Sequence, residues 1–489
     1  MTLSSFGQNH WSKGYLLQDA FAGFFDLETK YNSFTGEVII AGVYRDSTGY
    51  DRIMVAGLDT AGNELWAKSS ITPTFSNHVD LIVHPTTGEI FVVRSRATKA
   101  FLLKFGPNGS HLLSKELTFQ GNRVSSKLHF LSDQSIVLVS NESGTSAKAH
   151  LLHLDQNLSL LNAYEFSTQL SSGGTGSFED VTFLEQDKKY YLIGQGNMEV
   201  KVLVLDKAFT IQNAHSFTSP NHNFIVPQNL HATNNGIMLA ATFFGADGEG
   251  VVNLDTLGLP TSMYTYSSNF ELSFKFAPGS DPLKPLAVSS NSELYRLNSL
   301  GSLDFKILPN IAPINVNDAR ALAYNGGYAF VAMNAYNSGY HFGIQFFKEN
   351  GMLPCQASYL TQGSNASSQF STSPLNASVN LTSPAITSDN PVMGSLNILA
   401  ESSCLEESLG TPDQALKLNL YPNPGQGQIK VDVNFNFNQV LVYNSTGQLM
   451  KSWSQSNLQT LDLSDLPKGL YILHFMGEET KHETRYLKQ

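Results

Sequence analysis

Residues 55–68 read VAGLDTAGNELWAK. An apolar run ends at Leu58, the turn Asp59-Thr60-Ala61-Gly62 offers residues that tolerate positive φ, and a second run through Leu65 and Trp66 returns. That is the pattern of a β-hairpin. The unit recurs as LLKFGPNGSHLLSK (102–115), LLHLDQNLSLLNAY (151–164), VLVLDKAFTIQNAH (202–215), VVNLDTLGLPTSMY (251–264), LYRLNSLGSLDFK (294–306) and IQFFKENGMLPC (344–355). The apolar residue before each turn falls at Leu58, Phe105, Leu154, Leu205, Leu254, Leu297 and Phe347, with successive gaps of 47, 49, 51, 49, 43 and 50 residues. Near-constant spacing of this order marks a repeat architecture.

Upstream of each hairpin lies another strand pair, at 23–44, 79–95, 126–140, 179–194, 229–244, 271–290 and 318–334. Four short strands in just under fifty residues make the blade of a β-propeller. The expectation is an all-β chain with a seven-bladed β-propeller over 9–355. A ring must close, and Asn9-His10-Trp11-Ser12-Lys13 shares Trp-x-Lys with Asn63-Glu64-Leu65-Trp66-Ala67-Lys68. The N-terminal stretch is therefore expected to supply the outer strand of the last blade and to remove an exposed edge.

Residues 356–412 are rich in Ser, Asn and Thr and read as a connector. Cys355 and Cys404 bracket it and are the only cysteines. In an oxidising location such a pair is expected to be bridged, the alternative being two buried thiols. Closing that loop would contribute about 4 kcal/mol by chain entropy.

From 413 to 489 the pattern changes again. Ile429, Val431 and Val433, then Leu441 and Tyr443, then Tyr471 and Leu473 alternate with polar residues, as half-buried strands do. Turn residues separate them at Asn423-Pro424-Gly425, Ser445-Thr446-Gly447 and Pro467-Lys468-Gly469. These features predict a small antiparallel sandwich of Ig-like character. The segment also resembles the C-terminal sorting domain of the type IX secretion system. The resemblance rests on Leu420-Tyr421-Pro422-Asn423-Pro424 with Gly425 and Gly427, on Gly447-Gln448, on Leu463-Ser464-Asp465-Leu466-Pro467-Lys468-Gly469-Leu470-Tyr471, and on the basic end at Lys488. It implies the type IX machinery as a partner and a secreted or outer-membrane surface location. It further implies a secretory leader, which residues 1–8 do not spell out, and loss of the tail on arrival in or near 405–415. The preceding region resembles secreted bacterial β-propeller repeat proteins whose blades end in Leu-Asp-x-x-Gly-x-x-x-Trp-x-Lys, a pattern that only the first unit matches in full.

Charged residues make up 15% of the chain and the net charge is −11, which argues against nucleic acid and anionic membranes as partners. No apolar run reaches the ~18 residues of a membrane span. Standard catalytic, phosphate-binding and metal-binding motifs are missing, so no cofactor or metal is expected. His150 and His153 stand three apart, and on a strand they face opposite sides. Asp80, Asp180 and Asp318 recur at one register position, with Ser126 and Gln228 in its place elsewhere and Asp26 near it. They could form a carboxylate ring for a cation or a sugar, or bond backbone N–H groups at blade corners. Loops between second and third strands carry Tyr44, Arg45, Tyr50 and Asp51, then Arg94 and Arg96, then Tyr336, Tyr340 and His341. Such ring faces and polar groups suit a glycan or a peptide. The leading expectation is a secreted or cell-surface binding protein for a glycan or protein ligand. The alternatives are an extracellular polysaccharide-active lyase or hydrolase and a structural surface component.

Overall fold

The computed structural model of the chain describes residues 11–17, 20–71, 78–142, 148–169, 175–176, 179–196, 199–219, 224–233, 236–244, 248–266, 274–277, 285–289, 294–308, 318–324, 327–333, 342–348, 358–360, 371–374, 376–381, 385–388, 393–396, 398–405, 418–433, 437–444, 448–454, 458–476 and 481–489. Every helix or strand among them is a strand. The chain divides into two compact units, Met1–Glu406 and Glu407–Gln489.

The first unit is a succession of four-stranded antiparallel meanders. Ala20–Asn32, Glu37–Asp46, Asp51–Leu58 and Glu64–Ile71 pair in chain order. The arrangement recurs in Glu179–Gln186 to Ile211–Thr218, in Phe224–Thr233 to Pro260–Tyr266, and in Phe274–Phe276 to Leu303–Leu308. Between residues 79 and 169 two strands each serve two positions. Ile90–Phe105 pairs first with Val79–Val83 and then with His111–Phe130, whose far end pairs with Ile136–Glu142. The last meander, Asp318–Tyr324, Gly327–Met333 and Phe342–Lys348, takes its fourth strand from the start of the chain, Trp11–Leu17.

Second strands are apolar on both faces because each sheet is packed between two others. Val38 and Ile40 join Leu322, Val331 and Ile344 in one core, while Ile39, Ala41 and Val43 join Val79, Leu81, Ile90 and Val92 in the next. The hairpin turns show why the repeated unit carries Asp. Asp59 Oδ1 accepts the N–H groups of Ala61 at 2.8 Å and Asn63 at 2.7 Å, and Asp155, Asp206, Asp255 and Asn298 do the same. Three residues on, the backbone turns left-handed, at Gly62 with φ 72° and at Leu158 with φ 58° and Phe209 with φ 60°. A left-handed non-glycine residue costs about 1–2 kcal/mol. Leu158 and Phe209 are buried in cores between sheets, and burying such side chains contributes roughly 1.5–3 kcal/mol, so packing outweighs the turn.

Trp11–Leu17 behaves as the other fourth strands do. Tyr15 is buried, stacks on Phe342 with centroids 4.6 Å apart, and donates from its hydroxyl to Gly62 O at 2.8 Å. His215 Nε2 meets Gly258 O at 2.7 Å and the Tyr266 hydroxyl donates to Gly301 O at 2.5 Å. In all three the outer strand of one meander is tied to the hairpin turn of the next.

Residues 356–412 are more than a connector, which corrects the sequence expectation. Ser358–Leu360 pairs with Leu303–Leu308, Ser371–Pro374 with Ile211–Thr218, and Asn376–Leu381 with Leu160–Gln169. Ala385–Ser388 then pairs with His111–Phe130, Met393–Ser395 with Glu64–Ile71, and Ile398–Leu405 with Trp11–Leu17. Among the described residues the segment thus steps backwards along the meanders and adds a further strand to the outer edge of each except that of Phe224–Thr233 to Pro260–Tyr266, which stays four-stranded. An outer strand left bare presents unpaired N–H and C=O groups; short Ser- and Thr-bearing strands satisfy them, and nothing in their composition spells out which sheet they join. Cys404 lies opposite Ser12 in this pairing. Cys355 lies outside the described residues, and with it the expected bridge.

In the second unit Leu418–Tyr421, Gln428–Val433 and Thr460–Asp462 form one sheet, and Leu449–Trp453, Gln439–Asn444, Gly469–Met476 and Lys481–Lys488 form another. Ile429, Val440, Val442, Leu461, Leu473, Phe475 and Tyr486 share one core. The motif residues form a clasp around the last strand. Lys488 is buried, with its ammonium donating to Leu463 O at 2.8 Å, to Ser464 O at 2.6 Å and to Leu466 O. Gly427 N donates to Tyr486 Oη at 2.8 Å, and at φ 116° a Cβ there would stand 2.6 Å from Ser464 Cα, so only glycine fits. The Tyr471 hydroxyl donates to Pro467 O at 2.6 Å. Tyr421, Pro422, Asn423 and Pro424 are exposed. Gly469 opens the strand that holds Tyr471; Gly447 lies outside the described residues.

Candidate functional site: a cavity between the first strands

First strands of neighbouring meanders lie side by side. Val79–Val83 and Asp318–Tyr324 both pack on Ala20–Asn32, and Glu179–Gln186 packs on Phe224–Thr233. They enclose a cavity of about 770 Å³, within the size range of small-molecule sites. Its lining includes Leu131, Ser132, Asp187, Lys188 and Lys207, which follow first strands or sit in hairpin turns. These residues bring the cavity's lining to the hairpin end of the strands. Residues 47–50 lie at the other end of Glu37–Asp46, about 30 Å away along a ten-residue strand.

Asp80, Ser126 and Gln228, which share a register position in the sequence, and Asp26, which stands near it, all border the cavity. Two of these carboxylates bond the neighbouring meander. Asp26 Oδ2 accepts from Val79 N at 2.9 Å, and Asp80 Oδ2 accepts from Leu128 N at 2.5 Å. Asn229 Oδ1 likewise accepts from Phe276 N at 2.9 Å. The corner-bonding reading thus describes Asp26 and Asp80; the side chains of Asp180 and Asp318 lie outside the described residues.

Arg320 joins the last meander to the first, Nη2 lying 2.9 Å from Asp26 Oδ1 and Nε 2.8 Å from Glu28 Oε1. Burial pushes Asp26 up, but its bond with His78 and the charges of Arg320 and Lys275 outweigh that and hold it below the usual carboxylate range. Asp80 goes the other way. Burial and the charge of Glu28 push it up to about 6, against the opposing pull of Lys30 and its backbone bonds. Lys127 donates to Gln228 O at 2.8 Å. Burial, then the charges of Lys127 and Lys30, push His129 down to about 3, so its ring stays neutral at physiological pH. Among the described residues no group of three His, Cys, Asp or Glu side chains could hold a metal ion.

The loop residues singled out in the sequence fall differently. Tyr44 is buried, its hydroxyl 3.1 Å from Ser69 Oγ. Arg45 Nε lies 3.0 Å from Asp51 Oδ1, and Arg94 Nη2 3.5 Å from Asp51 Oδ2, with Asp51 and Arg94 both buried. The structure thus brings Arg45, Asp51 and Arg94 together as an ion cluster across two meanders, while Tyr50 is 57% exposed. The side chains of Arg96, Tyr336, Tyr340 and His341 lie outside the described residues. Sequence reasoning missed Glu28, Lys30, Lys127, His129 and Arg320. Glu28 and Lys30 were within reach, because they follow Asp26 at the period of two that keeps one face of a strand together.

Residues 419–489 match the family described as the secretion system C-terminal sorting domain. No curated protein matches the chain. Similar solved structures include the Dos1 propeller, at 10% identity over 70% of this chain and 95% of that one with a TM-score of 0.43. The Cps50 (Swd1) β-propeller domain of Myceliophteria thermophila is similar at 10% identity over 68% and 99%, TM-score 0.43. The BBS1N chain crystallised with ARL6DN is similar at 11% over 71% and 98%, TM-score 0.44. Residues 419–489 therefore form a secretion system C-terminal sorting domain, which points to a secreted or cell-surface protein, and they follow an all-β unit of antiparallel meanders.

Proposed function

We propose that the protein is type IX cargo whose first unit is a seven-bladed β-propeller closed by Trp11–Leu17. Outside the cell it would work as a binding protein for a glycan or protein ligand seated in the cavity between the first strands. The observation that carries this reading is the cavity itself, lined by ionised, amide and aromatic side chains from several meanders. The second unit, as an Ig-like sandwich, would engage the type IX machinery through its exposed Tyr421–Pro424 turn and be removed in or near 405–415, after a leader had served inner-membrane export. The exposed Tyr50 beside Arg45 offers a second surface, at the opposite end of the strands. A polysaccharide-active enzyme is the other reading that one observation favours: burial and the Glu28 charge push Asp80 up to about 6, toward the range of an acid that works beside a carboxylate in hydrolysis.

The test applies the full chain to polysaccharide and peptide arrays, with turnover assays alongside. Retention of one ligand class, abolished by the cavity-filling change Gln228→Trp and not by Tyr50→Ala, supports the cavity. The opposite pattern moves the site to the loop, cleavage of the retained polymer makes the protein an enzyme, and silence throughout leaves a structural surface component.

A further inference from the structure

We propose that the type IX machinery holds the second unit by the outer face of its four-stranded sheet, an apolar patch that fits an apolar protein surface. The inference rests on the reading of the second unit as the part that engages that machinery, and adds where it is held and by what chemistry. In an antiparallel sandwich each sheet turns one face to the core and one to water, and the outward positions are normally polar. The three-stranded sheet obeys this rule. Gln428, Lys430, Thr460 and Asp462 are exposed, while Ile429 and Leu461 between them are buried. The four-stranded sheet breaks it. Val440, Val442, Tyr471, Leu473 and Phe475 fill the core, and the alternate positions are apolar again. Tyr443 stands opposite Leu449 on one side and Ile472 on the other, and Leu470 stands opposite Leu487. Leu449, Leu470 and Leu487 are 50%, 42% and 43% exposed. His474, whose ring lies 4.9 Å from that of Tyr443, edges the patch.

Contiguous apolar patches on a soluble domain mark interaction sites. The sorting motif meets this one at two places. Leu470 belongs to the motif and lies on the exposed face, apart from the core. Asn423, in the exposed turn Tyr421–Pro424, accepts from Leu487 N at 3.0 Å, and Gly425 N donates to Leu487 O at 3.0 Å, so that turn borders the patch. Four strands about 4.8 Å apart, over a depth of about four residues, span roughly 250 Å². A stable dimer needs about 800 Å² from each partner. The patch is therefore too small to hold a second copy by itself, and it suits a contact that must form and then release as cargo passes.

The experiment expresses the full chain behind a secretory leader in a type IX host and follows its export to the surface or medium by pulse-chase. Leu470→Gln with Leu487→Gln, and Leu449→Gln alone, are compared with Leu470→Met plus Leu487→Met. Leu65→Gln plus Leu112→Gln serves as the control, since these leucines of the first unit are 53% and 52% exposed. Thermal unfolding of each purified chain shows whether it folds. The expected result is export about tenfold slower in the first pair and about threefold slower in Leu449→Gln, with the Met pair and the first-unit pair unaffected. Should the Gln pair fail to fold, Leu470→Gln and Leu487→Gln singly carry the same expectation at about threefold each. Export of the folded Gln variants at the unaltered rate overturns the face while leaving the unit a sorting domain, and equal slowing by the first-unit pair overturns it as well. Sedimentation of the unaltered chain as a dimer that the Gln pair dissociates assigns the patch to a second copy and also overturns it. Retention of the unaltered chain in the periplasm, where an established sorting tail releases a reporter, overturns the inference together with the reading beneath it.

Discussion

Replacing Arg320 with methionine removes the one cation that bonds both Asp26 and Glu28 and ties the last meander to the first, across 294 and 292 residues of sequence. The Arg320 side chain is 6% exposed and that of Asp26 9%, so the surviving carboxylates cannot turn fully to water. Removing one partner of a buried pair costs about 3–5 kcal/mol. Asp26 keeps the N–H groups of Leu27 and Val79, and Glu28 keeps Lys275 at 3.9 Å, which places the expected loss near the lower end, about 3 kcal/mol. The pH dependence has a definite sign. Asp26 is held below its ordinary value in the folded state, so it contributes stability above its unfolded value of about 3.9, and that stability is lost as pH falls through the folded value. In Arg320→Met the share of this contribution that Arg320 supplies is gone, while the bond with His78 and the charge of Lys275 remain. The penalty should therefore be full at pH 7 and shrink below about pH 4, where the carboxylates protonate. Guanidinium unfolding followed by tryptophan fluorescence measures it, and the triple change Arg320→Met, Asp26→Asn, Glu28→Gln should recover most of it. A penalty under about 0.5 kcal/mol at pH 7, or one equally large at pH 3.5, would refute the argument.

Tyr15→Phe should cost about 1 kcal/mol through its lost bond to Gly62 O, and Tyr15→Ala about 3–5 kcal/mol with the packing on Phe342 gone; unchanged unfolding in both would show that Trp11–Leu17 does not close the ring. Asp80 carries the opposite pH sign to Asp26. Its folded value of about 6 lies above the unfolded one, so stability should fall as pH rises from about 4 to 6. Asp80→Asn, which keeps an acceptor for Leu128 N, should flatten that slope in urea titrations across pH; a slope unaltered by the change would contradict the assignment. Lys488→Met strands three carbonyls and should destabilise the second unit by about 2–3 kcal/mol. In a fusion of residues 405–489 to a periplasmic reporter, the unaltered tail should carry the reporter to the surface or medium of a type IX host and the Lys488→Met tail should do so poorly. Retention of the unaltered fusion in the periplasm, where an established sorting tail releases the same reporter, would reduce the tail to a shared sandwich fold.

Local chemistry made much of this protein legible from its sequence alone. The hairpin period announced itself because most of the turns use an Asp or Asn to accept two N–H groups and a residue able to turn left-handed, and those demands involve neighbours only. The register shared by Asp80, Ser126 and Gln228, with Asp26 near it, was readable for a related reason: alternation along a strand assigns side chains to a face. The tail's strands and turns were readable on the same terms. Tertiary structure alone decided that Tyr44, Asp51 and Arg94 are interior, since polar composition cannot say which sheet will cover a loop end. It decided that Arg320 reaches Asp26, and that short strands such as Met393–Ser395 and Ile398–Leu405 join the outer edges of sheets formed hundreds of residues earlier. Backbone edge pairing carries almost no side-chain code, and a buried ion pair depends on which surfaces meet. Both are set by the packing of meanders far apart in the chain, a long-range event with no periodicity to record it.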